Sequence, residues 1–328
     1  MKARSDQLTL WLLLGFLASA FGVYPAAGAG RVEPGGRPSI IKRGTIDCDL
    51  VETTPIVFKG RVYRFEWVRK GYWNNHAQQD YFRLVDHKDG KATPPFGFDH
   101  QFGSAFVAGN TVYVTGTTSN RSSIQMFGSE DLKHWRSWTV FSDPNFGMFN
   151  TSMCKAKTEY VLMFEIDRPA EQAGVPFTAR FLKSDDLHHW KLTSPECNYA
   201  KDRYTAPHCL RYLEGYFYDF YLEAHDGYET RVVRSRDLIH WESSPFDPVL
   251  KASEADRKIA NSRLSPELRQ RIATARNINN SDIDFCEDRG QLLINYSWGN
   301  QQGIEFLAEA SYAGTEAQFL RGWFPEDK

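Results

Sequence analysis

GSEDLKHW (Gly128–Trp135), KSDDLHHW (Lys183–Trp190) and RSRDLIHW (Arg234–Trp241) are three copies of one motif, S-x-D-L-x-H-W. Asp131, Asp186 and Asp237 follow one another at intervals of 55 and then 51 residues. A period of that size marks a fold assembled from repeated supersecondary units. Around the copies run five alternating segments, each reading strand, turn, strand. They are TPIVFKGRVYRFEWV from Thr54, SAFVAGNTVYVTG from Ser104, TSMCKAKTEYVLMFE from Thr151, APHCLRYLEGYFYDFYLE from Ala206 and DFCEDRGQLLINYSWG from Asp284. Their aromatic and β-branched residues alternate about each turn, so each predicts a hairpin. Five such units predict an all-β fold, a five-bladed β-propeller over residues 45–328. A β-sandwich is the alternative, and it does not predict the repeat.

The hairpin starts are separated by 50, 47, 55 and 78 residues. SPELRQRIATARNI (Ser265–Ile278) accounts for the long last interval. Ser265 suits an N-cap, Pro266 the first helical position and Glu267 the first turn, so a short helix is expected before the fifth blade. The motif itself reads as structural. Its Asp accepts from backbone amides in a turn, and its Leu and Trp pack between blades. His134, His189 and His240 occur once per unit, so propeller symmetry holds them apart and no shared metal site is expected.

Upstream of the repeats, Lys2 and Arg4 precede a mostly apolar Leu8–Val23 and the small-residue site Ala27-Gly28-Ala29. That order predicts a signal peptide over 1–29, a linker over 30–44 and a secreted or periplasmic protein. The apolar run is short for a membrane span, and no second one follows. Net charge is −2, from 39 basic and 41 acidic residues, which argues against a nucleic-acid clamp or an anionic-membrane binder. The five cysteines lack metal-ligand spacing. Cys154, Cys209 and Cys286 lie in apolar stretches that suit free thiols, and Cys197–Cys209 is the candidate bridge.

In a propeller, the starts of first strands and the ends of second strands converge on one funnel. The starts bring Glu52, His100, Asn150, Arg203, Asp282 and Asp284 to that mouth, and the second-strand ends bring Glu66, Glu165 and Glu223. Residues two apart on a strand share a face, so Glu52 and Asp282, each two before the start of its strand, point in related directions. Carboxylates with aromatic rings suit a sugar site, because glycoside hydrolysis needs one acid and one base. The expected catalytic set is Glu52 as base, Glu223 as acid and Asp282 as the carboxylate that tunes them. His100, Asn150, Arg203, His208, Asp284 and Trp298 are the expected substrate contacts. No cofactor is expected. The Asp282-x-Asp284 pair with Glu287 leaves a structural divalent cation as an open alternative.

The S-x-D-L-x-H-W repeats and the five hairpins resemble the propeller glycoside hydrolases of families 43, 32 and 117. NNSDIDFCEDRGQLLINYSWGNQQG and QFLRGWFP are most similar to the family 117 type, whose members remove 3,6-anhydro-L-galactose from neoagaro-oligosaccharides. The resemblance implies a secreted, inverting, exo-acting glycosidase of plant or algal oligosaccharides, with His208 or His100 as an alternative acid. Two positions depart from the family 43 pattern. Thr54-Pro55 stands where an Asp-Pro supplies the base, and Thr205-Ala206-Pro207 stands where a Glu-Gly-Pro supplies the acid. Those departures favour a rival, a carbohydrate-binding propeller without catalysis. Oligomeric state is not legible in the sequence.

Overall fold

The computed structural model describes residues 36–225 and 227–325. The expected signal peptide lies outside the described residues. The chain is mostly β-sheet, with short helices at Ala170–Ala173, Pro266–Thr274 and Glu316–Gly322. All five expected hairpins form: Thr53–Phe58 with Arg61–Val68, His100–Ala108 with Thr111–Thr118, Gly147–Ala156 with Glu159–Arg168, His208–Leu213 with Tyr216–His225, and Asn279–Asp288 with Gln291–Gly299. Three of them turn on a residue followed by glycine with both φ angles positive. These are Lys59-Gly60, Glu214-Gly215 and Arg289-Gly290. That turn matches the right-handed twist of the strands it joins.

Each hairpin gains a third strand, and the strands form four hydrogen-bonded sheets of three, four, five and eight. The largest is two four-stranded halves joined by a single parallel pair, Tyr228 with Asn279. The second half ends in an unexpected way. Its outermost strand is Ile40–Cys48, paired antiparallel with Glu305–Tyr312. The expected linker boundary at residue 45 therefore falls inside a strand. The three-stranded sheet has isolated bridges, Phe82 with Phe96 and Val85 with Ala92, where a fourth strand would run.

The first strands pack side by side in sequence order, and the last packs on the first. Side chains stitch several neighbours together. Thr54 Oγ1 accepts from Ala105 N at 3.3 Å, Thr151 Oγ1 donates to Phe102 O at 3.2 Å, and Ser152 Oγ accepts from Leu210 N at 2.9 Å. Arg211 reaches Asp284 and Phe285 O in the last of them. Five apolar clusters fill the spaces between successive strand groups. The smallest, Leu50, Val68, Tyr72, Tyr81 and Leu307, lies between the last group and the first.

The repeated motif joins third to fourth strands in three places, and its chemistry is the same each time. Ser235 Oγ accepts from Leu238 N at 2.9 Å, and Asp237 Oδ1 accepts from Ile239 N at 2.9 Å and His240 N at 2.8 Å. His134, His189 and His240 are exposed, each within 2.8 Å of its own motif Asp. Leu132, Leu187 and Leu238 are buried with φ of 63–66°, a left-handed conformation that a branched residue resists. The Ser and Asp bonds hold that conformation. Ser235→Ala should therefore cost about 1 kcal/mol, read as a lower urea midpoint with an unchanged slope.

Ser265 caps the inserted helix as expected, accepting from Leu268 N at 3.3 Å. The Glu316–Gly322 helix, absent from the sequence reading, starts on a reciprocal capping box between Thr315 and Gln318. All five cysteines are free thiols, so the Cys197–Cys209 pairing does not form.

Candidate active site

A cavity of about 240 Å³ opens where first strands begin and second strands end. Its wall carries four acids, Glu52, Glu165, Asp282 and Glu305, and the rings of Phe102, Phe149, Phe177 and Tyr204. A narrow throat of about 30 Å³ shares Glu52, Asn150 and Asp282 with it and runs on past Thr54, His208 and Asp284.

Two backbone irregularities aim side chains into this cavity. The last hairpin slips register between Ser281 and Asp284, and Asp282 adopts φ 52°. The second hairpin slips between Gln101 and Ser104, and Phe102 adopts φ 53°. Such bulges interrupt the two-residue alternation and redirect a side chain. Gly103, just after Phe102, permits a tight approach, since a Cβ there would stand 2.7 Å from Thr115 O.

The four acids differ in their support. Glu165 is fully buried, and its Oε2 accepts from Asn150 Nδ2 at 3.0 Å. Its Oε1 has no partner, and neither does Asn150 Oδ1 nor Glu52 Oε2. Burial raises the Glu165 carboxyl well above its ordinary range, against the pull of the Asn150 bond. Burial also pushes Glu52 up to about 8, with Arg69 opposing and Asp282 adding to the rise. Glu305 rises to about 7, again through burial first, then the field of Asp282. Asp282 is raised by burial too, but it alone accepts two hydroxyl bonds, from Ser281 Oγ and Ser297 Oγ at 2.6 Å each. Those bonds favour its ionised form. Arg69 is the opposing cation, with Nη2 at 3.9 Å from Glu305.

These shifts fix the sign of a pH effect. In the folded state Glu52 and Glu305 hold protons up to about 8 and 7, and the unfolded chain releases them near 4.5. Between those values the folded state binds more protons, so stability falls as pH rises. The thermal midpoint should decline from pH 5 to pH 8, and Glu52→Gln should make the decline shallower.

The sequence expectations divide in three. Glu52, Asp282 and Asn150 do meet in the cavity, and His208 and Asp284 stand in the throat. His208 Nδ1 lies 2.8 Å from Asp219 Oδ2 with both side chains fully buried, and its Nε2 has no partner. Glu223 does not line either cavity. Its carboxylate accepts from Tyr221 Oη at 2.9 Å and from Arg203 Nε at 3.2 Å, which also occupies Arg203. His100 stands apart as well, with Nδ1 2.8 Å from Phe98 O. Trp298 is fully buried, stacked on Phe306 with its Nε1 donating to Thr45 Oγ1, so it is core and not a sugar platform.

The expected alternative of a cation at Asp282, Asp284 and Glu287 does not fit. Asp284 is tied to Arg211, and Glu287 accepts from Glu316 N at 2.9 Å. No cluster of three or more metal-ligating side chains occurs among the described residues.

Glu165 ends a second strand, a position the sequence reading had flagged without giving it a catalytic role. Glu305 was missed. It begins a third strand, and third strands start at the face where second strands end. The same register rule therefore reaches it.

No family model matches the chain, and no curated protein matches it. Solved structures do. An α-L-arabinofuranosidase of Podospora anserina, in complex with cellotriose, aligns at TM-score 0.59 and 8% identity over 84% of this chain and 97% of its own. An α-L-arabinofuranosidase of Fusarium graminearum, in complex with an iminosugar inhibitor, aligns at 0.52 and 12% over 84% and 98%. The Bombyx mori family 32 β-fructofuranosidase aligns at 0.51 and 12% over 85% and 62%. These neighbours are propeller glycosidases, and at such identities the likeness is one of fold.

Proposed function

We propose that this chain is a glycoside hydrolase on a five-bladed β-propeller, exported, and acting from a chain end on a plant or algal oligosaccharide. The observation that carries the reading is the pairing of two unlike carboxyls in one cavity. Glu165 is buried with one oxygen unpartnered, and Asp282 is held by two serine hydroxyls. Environments that push two carboxyls apart in protonation mark an acid and a base.

In this reading Glu165 protonates the leaving oxygen and Asp282 takes the proton of an attacking water. Glu52 neighbours Asp282 and tunes it, a reversal of the roles expected from sequence. The mechanism is inverting, which requires about 6.5–9.5 Å between the working carboxyls. Export rests on the Lys2–Ala29 leader pattern.

Incubation with a panel of plant and algal oligosaccharides, with detection of released monosaccharide and of its first-formed anomer, tests this. Release of the inverted anomer supports it. Binding without release supports the carbohydrate-binding rival, which the Thr54-Pro55 and Thr205-Ala206-Pro207 departures favour. Neither result removes the sugar reading. Glu223→Gln should turn over the same substrate within a few-fold of wild type, because that carboxylate serves Arg203 and Tyr221. Initial rates check it.

A further inference from the structure

We propose that the sugar unit seated in this cavity carries a protonated amine. The inference rests on reading the cavity as a sugar site and goes further, to the charge of its occupant.

Three features converge on a cation. The first is an excess of acid. Hydrolysis uses two carboxyls, and a third can tune them. The wall holds four, and no Lys or Arg is among the described residues that line it. Glu305 is the one left over, and Arg69 reaches it only at 3.9 Å.

The second is the kind of atom left unsatisfied. Glu52 Oε2, Glu165 Oε1 and Asn150 Oδ1 are buried without partners, and Glu165 is fully buried. Asn150 Oδ1 is an acceptor throughout, and Glu52 Oε2 becomes one where a bound cation holds its acid ionised, while Glu165 keeps its proton for the leaving oxygen. A sugar hydroxyl both donates and accepts, whereas an ammonium has three donors and no acceptor. Buried polar atoms without partners are rare in native proteins and point to a missing ligand group.

The third is the aromatic part of the lining. Phe102, Phe149, Phe177 and Tyr204 form an edge-to-face chain, with ring centroids 5.3, 4.5 and 5.9 Å apart. Ring faces attract cations, most strongly where water is excluded. Arg121 already stands 4.7 Å over one face of Phe149. Burial that Arg69 offsets only in part also explains why Glu52 and Glu305 hold their protons so high. A bound ammonium supplies the remaining counter-charge.

The test uses matched pairs: glucosamine with glucose, galactosamine with galactose, and mannosamine with mannose. Affinities are measured by calorimetry at pH 6 on the wild type and on Glu305→Gln, with circular dichroism confirming that the variant is folded. In at least one pair the amino sugar should bind at least about tenfold more tightly. Glu305→Gln should remove most of that advantage, weakening the amino sugar far more than its neutral partner. No advantage in any pair, including no binding by any of the six, overturns the inference, as does an advantage that survives Glu305→Gln. Release of neutral sugar from the oligosaccharide panel without an amine preference would leave the glycosidase reading standing alone. Amine-selective binding without release from any glycan would sink that reading and keep this one.

Discussion

Glu165→Gln, which removes the proposed general acid, is expected to lower kcat by about 10²–10⁴-fold on any oligosaccharide the wild type is found to cleave. The amide keeps the shape of the carboxyl and its acceptor oxygen, so Asn150 Nδ2 retains its bond. What is lost is the transferable proton. Folding should be untouched, because the folded state already holds this group neutral and the variant adds no charge to a fully buried site. The thermal midpoint should match the wild type or exceed it. Asp282→Asn should cause a loss of similar size by a different route, since the amide cannot take the proton of the attacking water. A substrate whose leaving group needs no protonation, such as an activated aryl glycoside, separates the two. It should restore rate to Glu165→Gln and not to Asp282→Asn. Wild-type turnover by Glu165→Gln on a natural oligosaccharide would dispose of the acid assignment.

The second large effect is on stability. Glu66→Ala should destabilise the fold by about 3–5 kcal/mol, the cost of stranding buried charges. Glu66 is fully buried, and it accepts from Arg64 Nε at 2.8 Å and from Arg83 Nε at 2.6 Å. Burial works against its charge, yet the two guanidinium groups outweigh burial and hold the carboxyl below its ordinary range. This cluster sits between the first and last strand groups, where the apolar filling is smallest. Removing the carboxylate leaves two largely buried cations facing each other at that seam. Urea unfolding at pH 7 reads the loss. A lowered carboxyl contributes stability that is present above its unfolded value and lost in acid. The gap between wild type and variant should therefore narrow as pH falls below about 4. A shift under 1 kcal/mol at pH 7 would show that water or neighbouring acids replace Glu66.

Much of this molecule is legible in the chain because β-structure of this kind is periodic. The five hairpins follow from alternation, and the Ser-x-Asp turns follow from a motif whose Ser and Asp oxygens find local partners. What escapes is whatever breaks the period. The bulges at Phe102 and Asp282 cannot be seen in alternation, yet they aim both side chains into the cavity. Glu223 illustrates the reverse error. It stands in the expected register, but Tyr221 on its own strand and Arg203 from a loop capture its carboxylate, and no strand rule covers the loop contact. Trp298 was read as a sugar platform from residue type alone, and burial depth is a tertiary property. Glu305 begins a third strand, one strand beyond the first and second strands that define the funnel.

The Ile40–Cys48 strand has a consequence for how the molecule is made. It is the first described strand in the sequence, and its partner, Glu305–Tyr312, is the last. At equilibrium this distant pairing is inexpensive, since the entropy of closing a loop grows only slowly with its length. In time it is demanding, because non-local strand pairing is slow. On the ribosome, residues 40–48 emerge early and wait with both edges open while every other hairpin is synthesised. Unpaired edges of this kind recruit other chains. The nascent protein is thus most prone to self-association in the interval before its final strand appears. A circular permutant that joins the two ends and opens at the exposed Pro144-Asn145 turn, between two sheets, would shorten that wait and keep every hairpin intact, and should aggregate less than the native order during cell-free synthesis.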